Sequence, residues 1–127
     1  MMQKITINAD FNKNYELKEW VRENLQLLKE TGLELINDTV EMVDSGFTVR
    51  NQILDQTFFV KCDKEKSSLR DLGLIIAICS QCNAEGVIWL ANDISEDLRR
   101  AFKWFSESLV PDFDTHLIEI EVKNTSK

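Results

Sequence analysis

Three cysteines and a single histidine are the first residues that could do chemistry in this 127-residue chain. Cys79-Ser80-Gln81-Cys82 sets two thiols three positions apart, on one face if the segment is helical, where both could reach one zinc ion. Cys62 and His116 would complete a Cys₃His set. A second close pair, usual in zinc motifs, is missing, and so is the Trp-Cys-Gly-Pro flank of a thioredoxin-like site. The plainer role is packing, because cysteine behaves as a small apolar residue and Cys79 continues the surface of Leu72, Ile75 and Ile76. His116 shares a strand side with Ile118 and Ile120, as a partly buried, hydrogen-bonded histidine would. No Ser or Cys stands in a Gly-x-Ser-x-Gly turn, so a triad hydrolase has no support. Trp20, Trp89 and Trp104 most simply fill the core. Trp104 neighbours Arg99, Arg100 and Lys103, which could form a base-stacking or partner surface. The plainer reading there is a cationic helix face snorkelling over a buried stripe.

Bulk charge narrows the partners. A formal net charge of −7, from 15 basic and 22 acidic residues, opposes unspecific attraction to a nucleic acid backbone. The longest apolar run, Leu72 to Cys79, is too short to span a bilayer, and Met1-Met2-Gln3-Lys4-Ile5 has no signal-peptide pattern. Cysteines in such a chain are expected as reduced thiols rather than a disulfide framework. The expectation is a cytoplasmic, non-membrane protein: one domain over residues 1–127, with its core over about 14–122 and a frayed tail at 124–127.

The elements that must position these residues follow from period and punctuation. Lys4 to Ala9 is a short strand. A helix capped by Asn12 or Asn14 carries Leu17, Trp20, Val21, Asn24 or Leu25, and Leu28 at steps of three and four, and stops at Thr31-Gly32. Three strands follow with short turns: Leu33 to Val43, broken near Asn37-Asp38, then Phe47 to Leu54, then Thr57 to Cys62. Asp63-Lys64-Glu65-Lys66 reads as a solvated loop, and Ser68 with Asp71 resembles a capping box. The helix so opened is apolar nearly all round, which predicts burial on more than one side. Val87 to Ala91 is a doubly buried strand. Asp93 with Glu96 can cap a third helix with a stripe of Leu98, Ala101, Phe102, Phe105 and Leu109, stopped by Pro111. His116 to Val122 alternates as a half-exposed edge strand. The order β-α-β-β-β-α-β-α-β predicts an α/β protein with a mixed sheet flanked by helices.

That order resembles the core of PD-(D/E)XK (restriction endonuclease-like) nucleases, and within that superfamily an uncharacterised bacterial domain family. The motifs that carry the likeness are Gly32-Leu33-Glu34-Leu35, Arg50-Asn51-Gln52-Ile53-Leu54, Val60-Lys61-Cys62-Asp63, Asp71-Leu72-Gly73-Leu74, Gly86-Val87-Ile88-Trp89-Leu90-Ala91 and Glu96 to Trp104. In such nucleases two acids on neighbouring strands hold Mg²⁺, and a lysine two positions after the second acid assists the attacking water. The resemblance implies that the first acid position is Gln52, the second is Lys61 and the lysine position is Asp63. A glutamine brings no charge and a lysine repels Mg²⁺, so the expectation is a degenerate, non-catalytic domain with no cofactor that acts by binding. A protein partner or a second copy is favoured over nucleic acid, self-association running through the edge strand His116 to Val122. The alternative is a Mg²⁺-dependent DNA endonuclease with acids rearranged around Asp63, drawing on Asp55, Glu41 or Glu34. A small zinc or thiol regulator built on Cys62, Cys79, Cys82 and His116 is the third reading.

Overall fold

In the computed structural model of the chain, the described residues are 3–9, 17–31, 35–43, 45–51, 53, 55–109 and 112–124. The strands are β1 (Gln3–Ala9), β2 (Leu35–Val43), β3 (Gly46–Asn51), β4 (Gln56–Cys62), β5 (Gly86–Asn92) and β6 (Asp114–Asn124). The helices are α1 (Leu17–Glu23), α2 (Leu69–Cys82) and α3 (Glu96–Trp104), in the predicted order. The proposed caps Asn12 and Asn14, the stop residues Gly32 and Pro111, and Gln52 lie outside the described residues.

The strands form one mixed sheet in the order β1-β6-β5-β4-β3-β2. β2, β3 and β4 make the antiparallel meander, and β4, β5, β6 and β1 run parallel. Period two sorts the side chains to two faces. Phe47, Val49, Phe58, Val60, Cys62, Ile88, Leu90, Ile118 and Ile120 pack with Leu17 and Val21 of α1. Phe59, Val87, Trp89 and Ala91 pack with Ile75 of α2 and with Leu98 and Phe102 of α3. Both crossover helices thus cover the same face, as two parallel connections stepping the same way across a sheet require. Gly46 is fixed by a close approach, since a Cβ there would stand 2.0 Å from the carbonyl oxygen of Val60.

Several expectations are corrected. β6 is no edge strand: β5 pairs Asp114 to Ile120 on one side of it and β1 pairs Ile118 to Asn124 on the other, so it lies inside the sheet. The first helix is shorter than its period suggests. Asn24 donates from Nδ2 to the carbonyl of Trp20 at 2.7 Å, and the chain tightens into a 3₁₀ segment over Leu25–Thr31. The break in β2 falls where expected, as a register shift between Ile36 and Glu41. Ser95, not Asp93, caps α3, its Oγ accepting from the backbone N–H of Leu98 at 3.1 Å, while Asp93 takes a left-handed turn conformation at φ 51°. After Trp104 the helix widens into a π-turn over Phe105–Leu109.

The burial of α2 differs most. Ile75 is its one fully buried residue, and Leu69, Leu74 and Ile76 are 54%, 43% and 48% exposed. The helix lies on the sheet with no further layer above it among the described residues. Trp104 is 59% exposed rather than in the core, whereas Trp89 is fully buried and Trp20 packs at the core margin. No helix among the described residues is long and apolar enough to cross a membrane.

Candidate functional site

The polar centre of the protein is built where β4 ends. Lys61 follows Phe59 on the α2 side of the strand and is 1% exposed, unusual for a lysine unless it is paired. Its Nζ lies 2.5 Å from Asp63 Oδ1, 3.2 Å from Asp71 Oδ1 and 3.4 Å from Ser45 Oγ. These three partners match the three N–H donors of an ammonium. Desolvating the ammonium would be costly alone, and the two carboxylates offset that cost.

Each carboxylate is held in turn. Asp63 Oδ2 accepts from the indole N–H of Trp89 at 2.7 Å and from the hydroxyl of Ser67 at 2.8 Å. Trp89 is the parallel-ladder partner of Lys61 on β5, so sheet register brings the indole to the acid. Ser67 Oγ also accepts from the backbone N–H of Asn92, and the Ser67 N–H donates to the Asn92 carbonyl at 2.8 Å. Asn92 Nδ2 donates to the carbonyl of Lys64 at 2.6 Å. The segment after β4 is therefore pinned to the end of β5. Its first residue, Asp63, belongs to the interior, and Lys64, Glu65 and Lys66 form the solvated part of the charge run.

Asp71 stands in the first turn of α2, where its Oδ2 accepts from the backbone N–H of Ser68 at 2.8 Å and from the Ser68 hydroxyl at 3.1 Å. This is the capping contact expected from Ser68 and Asp71. Burial acts to raise the pKa of Asp71. The Ser68 N–H and the Lys61 ammonium oppose it and prevail, leaving the pKa below the ordinary carboxylate value.

Chemically, the cluster is two carboxylates with a cation already between them. A divalent ion entering there would have to displace an ammonium held by three oxygens. The other acids weighed for a rearranged site are elsewhere. Asp55 pairs with Arg50 at the opposite end of β4, and Glu41 is exposed on β2. Glu34 lies outside the described residues. Register also separates Lys61 from the last described residues of β3. Arg50 and Asn51 face Thr57 and Gln56, while Lys61 faces Gly46. The cluster therefore draws on Ser45, Asp63 and Asp71, not on the Arg50 and Asn51 end of β3.

The Cys₃His set is not brought together. Cys62 packs on the α1 face of the sheet and Cys79 on the opposite face under α2. Among the described residues no group of three or more His, Cys, Asp or Glu could hold a metal ion. Burial, with a smaller contribution from Cys82, pushes the Cys79 thiol up to about 12, and burial raises Cys62 as well. Both thiols keep their protons at neutral pH, which suits packing and disfavours ligation or attack. His116 Nε2 lies 2.9 Å from Asp114 Oδ1, and His116 aligns with Ile88 of the α1 face, across the sheet from Cys79. On α3, Arg99 is within 3.8 Å of Glu96 and 3.6 Å of Glu119, Arg100 is 3.4 Å from Asp97, and Lys103 is exposed. Each arginine thus faces an acid, which lowers the net charge of that helix face.

Ser45, Ser67, Asp71, Trp89 and Asn92 were not singled out as site residues by sequence reasoning. One signal could have found Asp71. A lysine on the inward side of a strand needs a buried counter-charge, and the first turn of the next helix is the nearest supply. Compared with known proteins, the chain matches no family model, no curated protein and no solved structure.

Proposed function

We propose that this chain is a non-catalytic, nuclease-like domain that acts by binding a partner. The observation that carries the reading is the Lys61 ammonium seated between Asp63 and Asp71. A metal-dependent nuclease needs open carboxylates to hold Mg²⁺ and activate water. Here the carboxylate pair serves an internal cation, and its remaining oxygens are taken by Trp89, Ser67 and Ser68. The helix, antiparallel meander, crossover helix and parallel strand accord with the nuclease resemblance. Fold likeness alone fixes no activity, so the reading rests on the cluster. With a net charge of −7, a protein partner suits the surface better than nucleic acid.

The test is a calorimetric titration of the purified protein with Mg²⁺ and Mn²⁺, run beside plasmid cleavage in the same buffers. No saturable binding and no cleavage is the expected result. Saturable binding with cleavage, both abolished by Asp63→Ala, would restore the endonuclease alternative.

A further inference from the structure

The outer side of α2 carries a feature that the monomer does not explain. Leu69, Gly73, Ile76 and Ser80 recur at steps of four, three and four, so at about 100° per residue they form one stripe along the helix. All four are exposed, and none is charged. Gly73 is the anomaly. Glycine inside a helix costs about 1 kcal/mol relative to alanine, yet a Cβ added here would meet nothing within 4 Å. Nothing within the described fold requires it. A helix-interior glycine facing open space, between two half-exposed large apolar residues, fits the close approach of a second backbone.

We infer that two copies of this chain associate through α2, the two helices running antiparallel about a two-fold axis between Leu74 and Ile75. In that register Leu69 faces Ser80 of the second copy, and Gly73 faces its Ile76. Large meets small at every level, and the symmetry repeats each contact. Ser80 is suited to this burial because its hydroxyl already donates to the carbonyl of Ala77 at 2.8 Å. Beside Ser80 and Ile76 opens a cavity of about 320 Å³, lined also by Ile75, Cys79, Phe105 and Phe113. It lies where Leu69 of the second copy would arrive, so the exposed leucine and the apolar cavity complement each other. Charge argues for a second copy too. On a chain of net charge −7, an uncharged stripe lets two copies meet without setting like charges opposite each other along it. The antiparallel helix dipoles also attract. The stripe faces away from the sheet and the Lys61 cluster faces inward, so this inference and the binding reading of the cluster fail separately.

A single helix pair is a small interface, so the association is expected to be weak. Sedimentation equilibrium of the full chain is expected to show mass rising from monomer toward dimer between about 1 µM and 1 mM. Leu69→Glu and Gly73→Leu should each raise the dimer dissociation constant at least tenfold while leaving the circular dichroism spectrum unchanged. Gly73→Ala, which should make the monomer more heat-stable, is the second variant should either of these misfold, and it is expected to weaken the dimer as well. Wild-type protein that stays monomeric throughout this range overturns the inference. So does a dimer that all folded variants retain unchanged, which would place the contact on another surface.

Discussion

Replacing Lys61 by methionine keeps most of the side-chain volume and removes the charge, leaving Asp63 and Asp71 facing each other without their cation. Breaking a buried pair in this way costs about 3–5 kcal/mol. Asp63 is only 9% exposed and bears that cost nearly in full, but Asp71 is 22% exposed and can recover water. The lower end, about 3 kcal/mol, is therefore the expectation. For a domain of this length each kcal/mol shifts Tm by about 3–4 °C, so Lys61→Met should melt about 10 °C below wild type at pH 7. The deficit should shrink on acidification, because the two carboxylates in the variant can relieve their repulsion by taking up protons. Differential scanning calorimetry at pH 7 and at pH 5 is the assay. Lys64→Met, on an exposed neighbour, serves as control and should change stability by no more than about 0.5 kcal/mol. A Lys61→Met variant melting within about 2 °C of wild type, or a deficit that grows in acid, would refute the argument that the ammonium is what keeps this carboxylate pair buried.

Three further outcomes follow from the same geometry. Asp71 is held below its ordinary pKa, so its contribution is present above the unfolded carboxylate value and lost as pH falls through the folded one; Asp71→Asn should flatten the acid limb of a stability–pH curve, and an unchanged limb would contradict this. Gly46→Ala forces a Cβ onto the Val60 carbonyl and should cost about 3 kcal/mol or more, measured by urea unfolding; a neutral substitution would mean the β3–β4 register differs. Cys62 and Cys79 should react with iodoacetamide at neutral pH far more slowly in the native than in the urea-unfolded protein, and fast native labelling followed by mass spectrometry would contradict their protonated, packed role.

Much of the scaffold is legible in the residues because its signals are local. Ser68 and Asp71 three positions apart announce the start of α2, and Ser45-Gly46 and Asp55-Gln56 mark the turns of the meander. The element order and the α/β class follow from such marks. What stays hidden is non-local. β6 alternates like an edge strand, and only its pairing with β1, from the opposite end of the chain, removes that edge. The apolar composition of α2 predicts burial but cannot say that no other layer among the described residues covers its outer side. Asn24 looks like one more polar position in a helical stripe, yet its side chain takes a carbonyl from the helix before it. The site shows the same limit. Strand period turns Lys61 inward, but its partners lie two, ten and sixteen positions away and meet only in the fold.

The most direct test of the central claim is a Mn²⁺ titration followed by electron paramagnetic resonance, comparing the wild type with Lys61→Ala. If the ammonium already fills the place between Asp63 and Asp71, the wild type leaves the free Mn²⁺ signal undiminished at every concentration, whereas the variant, with its carboxylates opened, draws the signal down. A wild-type protein that sequesters one Mn²⁺ per chain, with affinity unaltered by removing Lys61, would contradict the account.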